Sequence, residues 1–403
     1  MLSTKRPRAT QAGTTLAAIL ALTTIGGSVL AAPFTLGNLV VSRVGDGSAA
    51  LSNAATAVFL DEYKLNGTGL GTLVQTIALP TTGSSAFTLS GSATSEGVLT
   101  LSANPATQNQ VLTIGGYNAA IPTLAIGSTT SAAVKRVVDV ISADGTTITA
   151  VPQGTNFDKG SIRSAISTDG TGTTIYAAGS NTGLVASSTG NTTTTVVSNT
   201  TANERVLNIY GGDLYFSTAS STHGIYKVGG GLPASSGTVA TNFIDTSSVS
   251  NSYDFYFADA NTVYIADDRA TVLGGLQKWT STSGAAGSFT LAQTYNLAGA
   301  TAGSFAGLRG LTGNATDIFA VAADGNTGTG GNNAGNSLVD FNILSGTFST
   351  VAVAGTNTAF RGVDASPAPE PSQVAGLGFF AFGLAGVILK ARRKRSTAPV
   401  DAR

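Results

Sequence analysis

Arg205-Val206-Leu207-Asn208-Ile209-Tyr210, then Gly211-Gly212-Asp213, then Leu214-Tyr215-Phe216-Ser217: this stretch decides the fold. Apolar and aromatic residues alternate with polar ones on both sides of a Gly-Gly-Asp turn, as two paired strands joined by a tight hairpin require. The phrase recurs. Gly160 to Gly170, with Ile162-Arg163-Ser164-Ala165-Ile166 at its centre, leads into Thr174-Ile175-Tyr176-Ala177. Tyr253-Asp254-Phe255-Tyr256-Phe257 leads into Thr262-Val263-Tyr264-Ile265, and Leu308-Arg309-Gly310-Leu311 leads into Asp317-Ile318-Phe319-Ala320. A weaker copy runs from Glu96 to Ser102 and into Val111-Leu112-Thr113-Ile114, and a truncated one closes the series at Phe360-Arg361-Gly362-Val363-Asp364.

From Gly160 onward the copies start 45 to 55 residues apart. That is the length of one four-stranded propeller blade. A third short strand follows most copies, for example Gly224-Ile225-Tyr226-Lys227-Val228 and Gly275-Leu276-Gln277-Lys278-Trp279-Thr280. No long segment has the 3.6-residue apolar period of a helix. The expectation is an all-β protein, a six- or seven-bladed β-propeller over 38–365, with the Phe360 phrase completing the first blade from the opposite terminus. A parallel β-helix would need rungs of about 20 residues, and none recurs; a sandwich is the other alternative. The Gly-rich copies resemble secreted propellers of NHL- or WD40-like layout, without the Trp-Asp dipeptide of the latter.

Composition narrows the function. The chain has 403 residues, no Cys, one His and only 10% charged residues. Thiolate metal sites, Cys nucleophiles and disulfides are excluded. Nine of the 21 basic residues lie near the two ends, where Glu370 and Asp401 are the only acids. The body keeps 12 basic and 19 acidic residues, a net of −7. An acidic body does not neutralise phosphates by bulk charge, so nucleic acid is not an expected partner.

The ends carry the clearest signals. Lys5, Arg6 and Arg8 precede an apolar run over 16–30 and the small-residue frame Val29-Leu30-Ala31. This is the layout of a secretory signal peptide over 1–31, with cleavage expected after Ala31. At the other end a Pro-rich linker over 366–373 contains Pro369-Glu370-Pro371. An apolar segment over 374–389 follows, and the basic tail 390–403 begins with Lys390, Arg392, Arg393, Lys394 and Arg395. The apolar segment is just under the usual span length and reads as a transmembrane helix. Its basic flank is expected to stay cytoplasmic, leaving the body outside. The signal peptide's basic start gives the same orientation.

Order and spacing over 367–395 resemble the PEP-CTERM sorting signal of Gram-negative bacteria. The resemblance implies that a membrane-embedded exosortase recognises Pro369, Glu370 and Pro371, cuts nearby and passes the body to the cell surface or extracellular matrix. The tail after Arg395 is slightly longer than is usual for such signals.

Catalytic candidates are sparse. A Ser-His-Asp triad would have to use His223, which sits in a polar turn and reads as an ordinary loop residue. Asp267-Asp268 and Asp61-Glu62 are adjacent pairs, and neighbours on a strand face opposite ways, so neither reads as an acid/base couple. The oxygen-rich loop 323–333 has one carboxylate and lacks EF-hand spacing. Asn191-Thr192-Thr193-Thr194-Thr195 reads as an exposed loop that can carry sugar. No metal, cofactor or catalytic set is expected. The propeller is read as a non-enzymatic scaffold for polysaccharide or surface proteins. The alternative is a propeller carbohydrate-active enzyme, which requires three or more carboxylates converging on one channel mouth. A channel lined by Thr, Ala and Gly would count against it.

Overall fold

Six four-stranded antiparallel sheets are arranged as the blades of a propeller. The structure is a computed structural model that describes residues 31–367, apart from 68, 103–109, 202, 221, 247–249, 300–302 and 324–334. The expected signal peptide up to Leu30, the Pro369-Glu370-Pro371 motif, the apolar segment and the basic tail lie outside the described residues, as does nearly all of the oxygen-rich loop. Among the described residues no helix is long and apolar enough to cross a membrane.

From the inner strand outward, blade 2 is Leu99–Leu101, Val111–Asn118, Lys135–Ser142 and Ile148–Pro152. Blade 3 is Ile162–Ser167, Thr174–Gly179, Leu184–Ser188 and Thr195–Ser198, and blade 4 is Glu204–Tyr210, Asp213–Thr218, Gly224–Val228 and Ala240–Asp245. Blade 5 is Ser252–Asp259, Thr262–Asp267, Gly275–Thr280 and Thr290–Tyr295, and blade 6 is Leu308–Gly313, Asp317–Ala322, Ser337–Asn342 and Thr347–Val353. Each repeated phrase of the sequence is therefore an inner strand with the second strand of the same blade. Blade 1 is assembled from both ends of the body: the inner strand is Ala359–Ala365, followed by Leu39–Val44, Val58–Lys64 and Thr72–Ala78. Leu39 lies opposite Ala365 and Val44 opposite Ala359. The Phe360 phrase thus closes the ring, as its truncation suggests.

Each blade is covered on both faces, which is why its strands read as nearly continuous apolar runs. Six apolar clusters fill the six interfaces between blades. Phe216 and Leu214 face blade 3, while Tyr215 between them packs with Phe257 and Phe255 of blade 5. Val40, Leu60, Leu112 and Ile141 fill the gap between blades 1 and 2. Phe319, Leu338, Val41 and Phe360 fill the one between blades 6 and 1.

The inner strand of a blade has only one ladder partner, and its free edge must be satisfied from elsewhere. Side chains of the neighbouring blade supply the bonds. Ser42 of blade 1 accepts from Gly362 N of its own blade at 2.9 Å and reaches across the junction to donate to Gly97 O, beside blade 2, at 2.5 Å. Thr113 of blade 2 donates to Ala165 O of blade 3 at 2.8 Å, and Ser164 of blade 3 accepts from Leu207 N of blade 4 at 3.1 Å. Ser217 of blade 4 donates to Tyr253 O of blade 5. Asp254 of blade 5 accepts from Leu311 N of blade 6 at 2.7 Å. Asp364 of blade 1 accepts from Thr312 Oγ1 of blade 6 at 2.7 Å and from Leu101 N of blade 2 at 2.6 Å. All six junctions are latched.

Close approach of the inner strands explains two glycines. A Cβ on Gly310 would lie 3.1 Å from Gly362 Cα, and one on Gly362 would collide with Leu99 N of blade 2. Gly362→Ala is expected to lower stability by about 1–3 kcal/mol, the range for overpacking, and thermal unfolding of the purified variant checks this. A larger side chain there forces blades 1 and 2 apart.

One buried carboxyl gives the fold a pH dependence. Asp139 lies on the third strand of blade 2, on the same face as Val137 and Ile141, and neither of its oxygens has a partner among the described residues. Burial pushes its pKa up to about 7. The folded state then holds a proton that the unfolded state gives up near pH ~4. Its contribution is complete below pH ~4 and is lost as the pH rises through about 7. Asp139→Asn is expected to be more stable than the parent at pH 8, by less at pH 5, and close to it below pH ~4, as denaturant melts across this range would show.

Candidate functional site

The ladder between the inner and second strands is interrupted at one level of the ring. In blade 1 the pairing passes from Ser42–Gly362 to Arg43–Phe360 and skips Arg361. In blade 3 it skips Arg163, in blade 5 Tyr253, in blade 4 Arg205 with Val206, and in blade 6 Arg309 with Gly310. A bulge releases a residue from the period-2 alternation and turns its side chain. Here five bulges gather four arginines and a tyrosine at the channel mouth where the inner strands begin. The long connections 45–57, 79–98 and 119–134 join strands at this same end, the expected location for function carried on loops.

Tyr253 is buried at this mouth. Its ring packs against Val98 and Val206, and its hydroxyl donates across the mouth to Thr94 O at 2.8 Å. Arg205 and Arg309 lie against this ring, 4.8 and 5.7 Å from its centroid. Both also sit 3.5 Å from Asp268 Oδ2, and their side chains are each 15% exposed. Asp268 is further engaged by Asn251 Nδ2. Arg163 donates to the amide oxygen of Asn203 and to Glu204 O, both neutral acceptors. Arg361 is buried and donates to Gly91 O at 2.7 Å. Burial, then the nearby Arg309, lowers its pKa to about 10. Burial also lowers Arg163, with Arg205 acting in the same direction.

Two of the three carboxylates near this mouth, Asp268 and Glu96, have partners, whereas neither oxygen of Glu204 has one among the described residues. Glu96 accepts from Tyr117 Oη at 2.6 Å and from Ser90 N at 3.0 Å; burial raises its pKa against these bonds and the charge of Arg361. Glu204 is fully buried, and burial alone raises its pKa well above the carboxylate range, with no guanidinium contributing. The mouth satisfies neither sequence criterion, since it is dominated by arginine rather than by a carboxylate set or by small neutral residues.

The other candidates do not join this mouth as a catalytic set. His223 Nδ1 lies 2.9 Å from Ser250 O, a loop-to-loop contact. Asp267 pairs with Arg269 at 2.5 Å, so the adjacent aspartates turn to different partners. Asp61 pairs with Arg43 at 2.6 Å, while Glu62 takes Asn38 Nδ2 at 2.6 Å and Thr35 N at 2.8 Å. Among the described residues no group of three or more acidic, His or Cys side chains is placed to hold a metal. The arginines were missed in the sequence because a bulge breaks the alternation being sought. Superposing the copies on their inner strands would have found them, since Arg163, Arg205, Tyr253, Arg309 and Arg361 occupy one position of the phrase.

No protein-family model matches the chain, and no curated protein matches its sequence. Among solved structures it is similar to a chain of a nidogen/laminin complex, at 11% identity and a TM-score of 0.49, covering 82% of this chain and 98% of that one. It is also similar to the GH74 enzyme of Niastella koreensis, at 15% identity and a TM-score of 0.40, covering 77% of this chain and 47% of that one. A third similarity is to YCF48 bound to D1 peptide, at 10% identity and a TM-score of 0.40, covering 79% and 87% respectively. At these values the function has to be argued from this chain's own residues.

Tyr253→Phe deletes one hydroxyl and leaves the Thr94 carbonyl without its donor. The expected cost is about 1–2 kcal/mol, read from denaturant melts. Faster amide exchange over 91–96 is expected to accompany it.

Proposed function

We propose that this chain is an exported bacterial cell-surface or extracellular-matrix protein, sorted through its C-terminal segment, whose propeller is a non-enzymatic binding scaffold. One observation carries the reading. Pro369-Glu370-Pro371, an apolar segment and the cluster Lys390, Arg392, Arg393, Lys394 and Arg395 follow one another in order. Basic residues at both termini give the same orientation, body outside and basic flank inside. The partners are the export machinery, an exosortase and the membrane that receives the apolar segment.

The scaffold role draws support from the channel mouth. A glycosidase needs two carboxyl groups facing a shared substrate space. Asp268 is engaged by Arg205, Arg309 and Asn251, and Glu96 by Tyr117 and Ser90. Both are held by these partners, and Glu204, buried without a partner, is a single carboxyl and not a pair.

Fractionation of a tagged strain with and without its exosortase tests the sorting. Processing to a shorter, surface-released form is expected in the parent and its loss in the deletion strain. Glu370→Ala is expected to reproduce that loss with the body intact. Unchanged processing and location in both cases would overturn the reading.

A further inference from the structure

The first described residues, 31–38, form a strap that ties blade 1 to blade 2. Phe34 is 2% exposed and packs between the two blades with Val40, Leu60 and Leu112. Its N–H donates to Ala143 O, in the outer hairpin of blade 2, at 2.9 Å. Ser366, at the end of the closing strand, donates from Oγ to Thr35 O at 2.5 Å and from its N–H to Asn38 O at 2.9 Å. Ahead of Phe34 the strap is gripped by Gln75, on the outermost strand of blade 1. The Gln75 amide accepts from Ala32 N at 3.0 Å and donates from Nε2 to Ala32 O at 2.9 Å.

Nε2 of Gln75 also donates to Glu62 Oε2 at 2.7 Å. Glu62 is fully buried and accepts further bonds from Thr35 N at 2.8 Å and Asn38 Nδ2 at 2.6 Å. All three donors are neutral, and among the described residues no Lys or Arg forms an ion pair with it. A buried carboxyl held in this way lacks counter-charge. Because Glu62 takes an N–H from Gln75, the amide oxygen of Gln75 is left to face Ala32 N. That nitrogen is the one freed by the expected cleavage after Ala31. Hydrolysis of the Ala31–Ala32 bond consumes one water: its hydroxyl joins the Ala31 carbonyl carbon and its hydrogen joins Ala32 N. The acid's proton then passes to the amine, leaving a carboxylate on the departing peptide and an ammonium on Ala32, charged below pH ~8. Ala32 is exposed, so the ammonium keeps water on its outer side.

Two other charged side chains lie along the strap. Asp144 is turned into its own hairpin, where Ser142 Oγ, Thr146 N and Thr147 N each donate to it at 2.8 Å. Lys64 is exposed beside Thr35 and Leu36 and opposes a second cation, while Asp144 favours one.

We propose that Gln75 and Glu62 form a binding site for the chain's own new amino terminus. The Ala32 ammonium donates to Gln75 Oε1, and buried Glu62 supplies its counter-charge through the shared amide. Removal of the signal peptide thereby tightens the strap between blades 1 and 2. The site rests on the export reading, because cleavage after Ala31 is what places a charge on this nitrogen.

The test uses the protein purified from its host after export, and a variant with Gly-Ser inserted between Ala31 and Ala32. In that variant the Ala32 amide stays in place while the charge moves two residues outward. Sequencing of the parent is expected to begin Ala32-Pro33-Phe34. A different start overturns the cleavage reading and this site with it, whereas a start at Ala32 leaves the remaining outcomes to decide the site alone. The parent is expected to melt about 2 °C or more above the insertion variant at pH 7 and low salt. The difference is expected to be complete below pH ~8 and to vanish as the pH rises through the raised value of the docked amine. At pH 7 an amine-reactive succinimidyl ester is expected to label the parent's terminus at least about threefold more slowly than the variant's, read by mass spectrometry of the terminal peptide. Glu62→Gln and Gln75→Leu are each expected to abolish that protection. Should Glu62→Gln fail to fold, Gln75→Leu on the edge strand decides. Equal melting at pH 7, equal labelling, or protection that survives Gln75→Leu would each overturn the assignment.

Discussion

The free edge of the inner strands is the constraint on which the rest of this structure depends. Six inner strands each have a ladder partner on one edge only, and the other edge needs its hydrogen bonds from elsewhere. The chain answers with short side chains from the neighbouring blade: Ser42, Thr113, Ser164, Ser217, Asp254 and Asp364. Each is small enough to reach a strand that approaches within contact distance, and Gly310 and Gly362 allow that approach. The hydrogen bonds fix the position of each blade against the next, while the six apolar clusters between blades supply most of the area removed from water.

The same geometry creates the mouth. A strand bonded on one side by its own blade and latched on the other by a neighbour has little freedom to slide. The register shift at Arg163, Arg205, Tyr253, Arg309 and Arg361 is therefore held in place. Bulging brings the guanidinium groups together at a height where they touch Tyr253 and Asp268. Positive charge in an acidic body is thus concentrated by backbone irregularity.

The blade architecture was legible because each blade is wetted at its hairpins and dry on both faces. That environment selects aromatic and β-branched runs such as Leu214-Tyr215-Phe216 and Thr262-Val263-Tyr264-Ile265, punctuated by Gly and Asp, and all six inner strands lie in repeated phrases. The blade count stayed open between six and seven because the copies before residue 160 are weak: Leu99–Leu101 is only three residues long and has no bulge. The latches were not legible. Ser42 and Ser217 look like any serine in a chain rich in them, and their role depends on a strand that is distant in sequence. The arginine mouth was hidden for a different reason, since the reading sought alternation and the functional side chains sit where alternation fails.

The pairing of Leu39–Val44 with Ala359–Ala365 joins residues more than 300 positions apart. Contacts of such long range form late. During synthesis the first blade waits, with an open inner side, until nearly the whole body has followed. Ser42 is bonded to Gly362 only at that moment, and Asp364 then reaches both blade 2 and blade 6. The last strand to arrive is thus the one that fastens three blades at once, and a chain cut short of Ala359 stays an open arc.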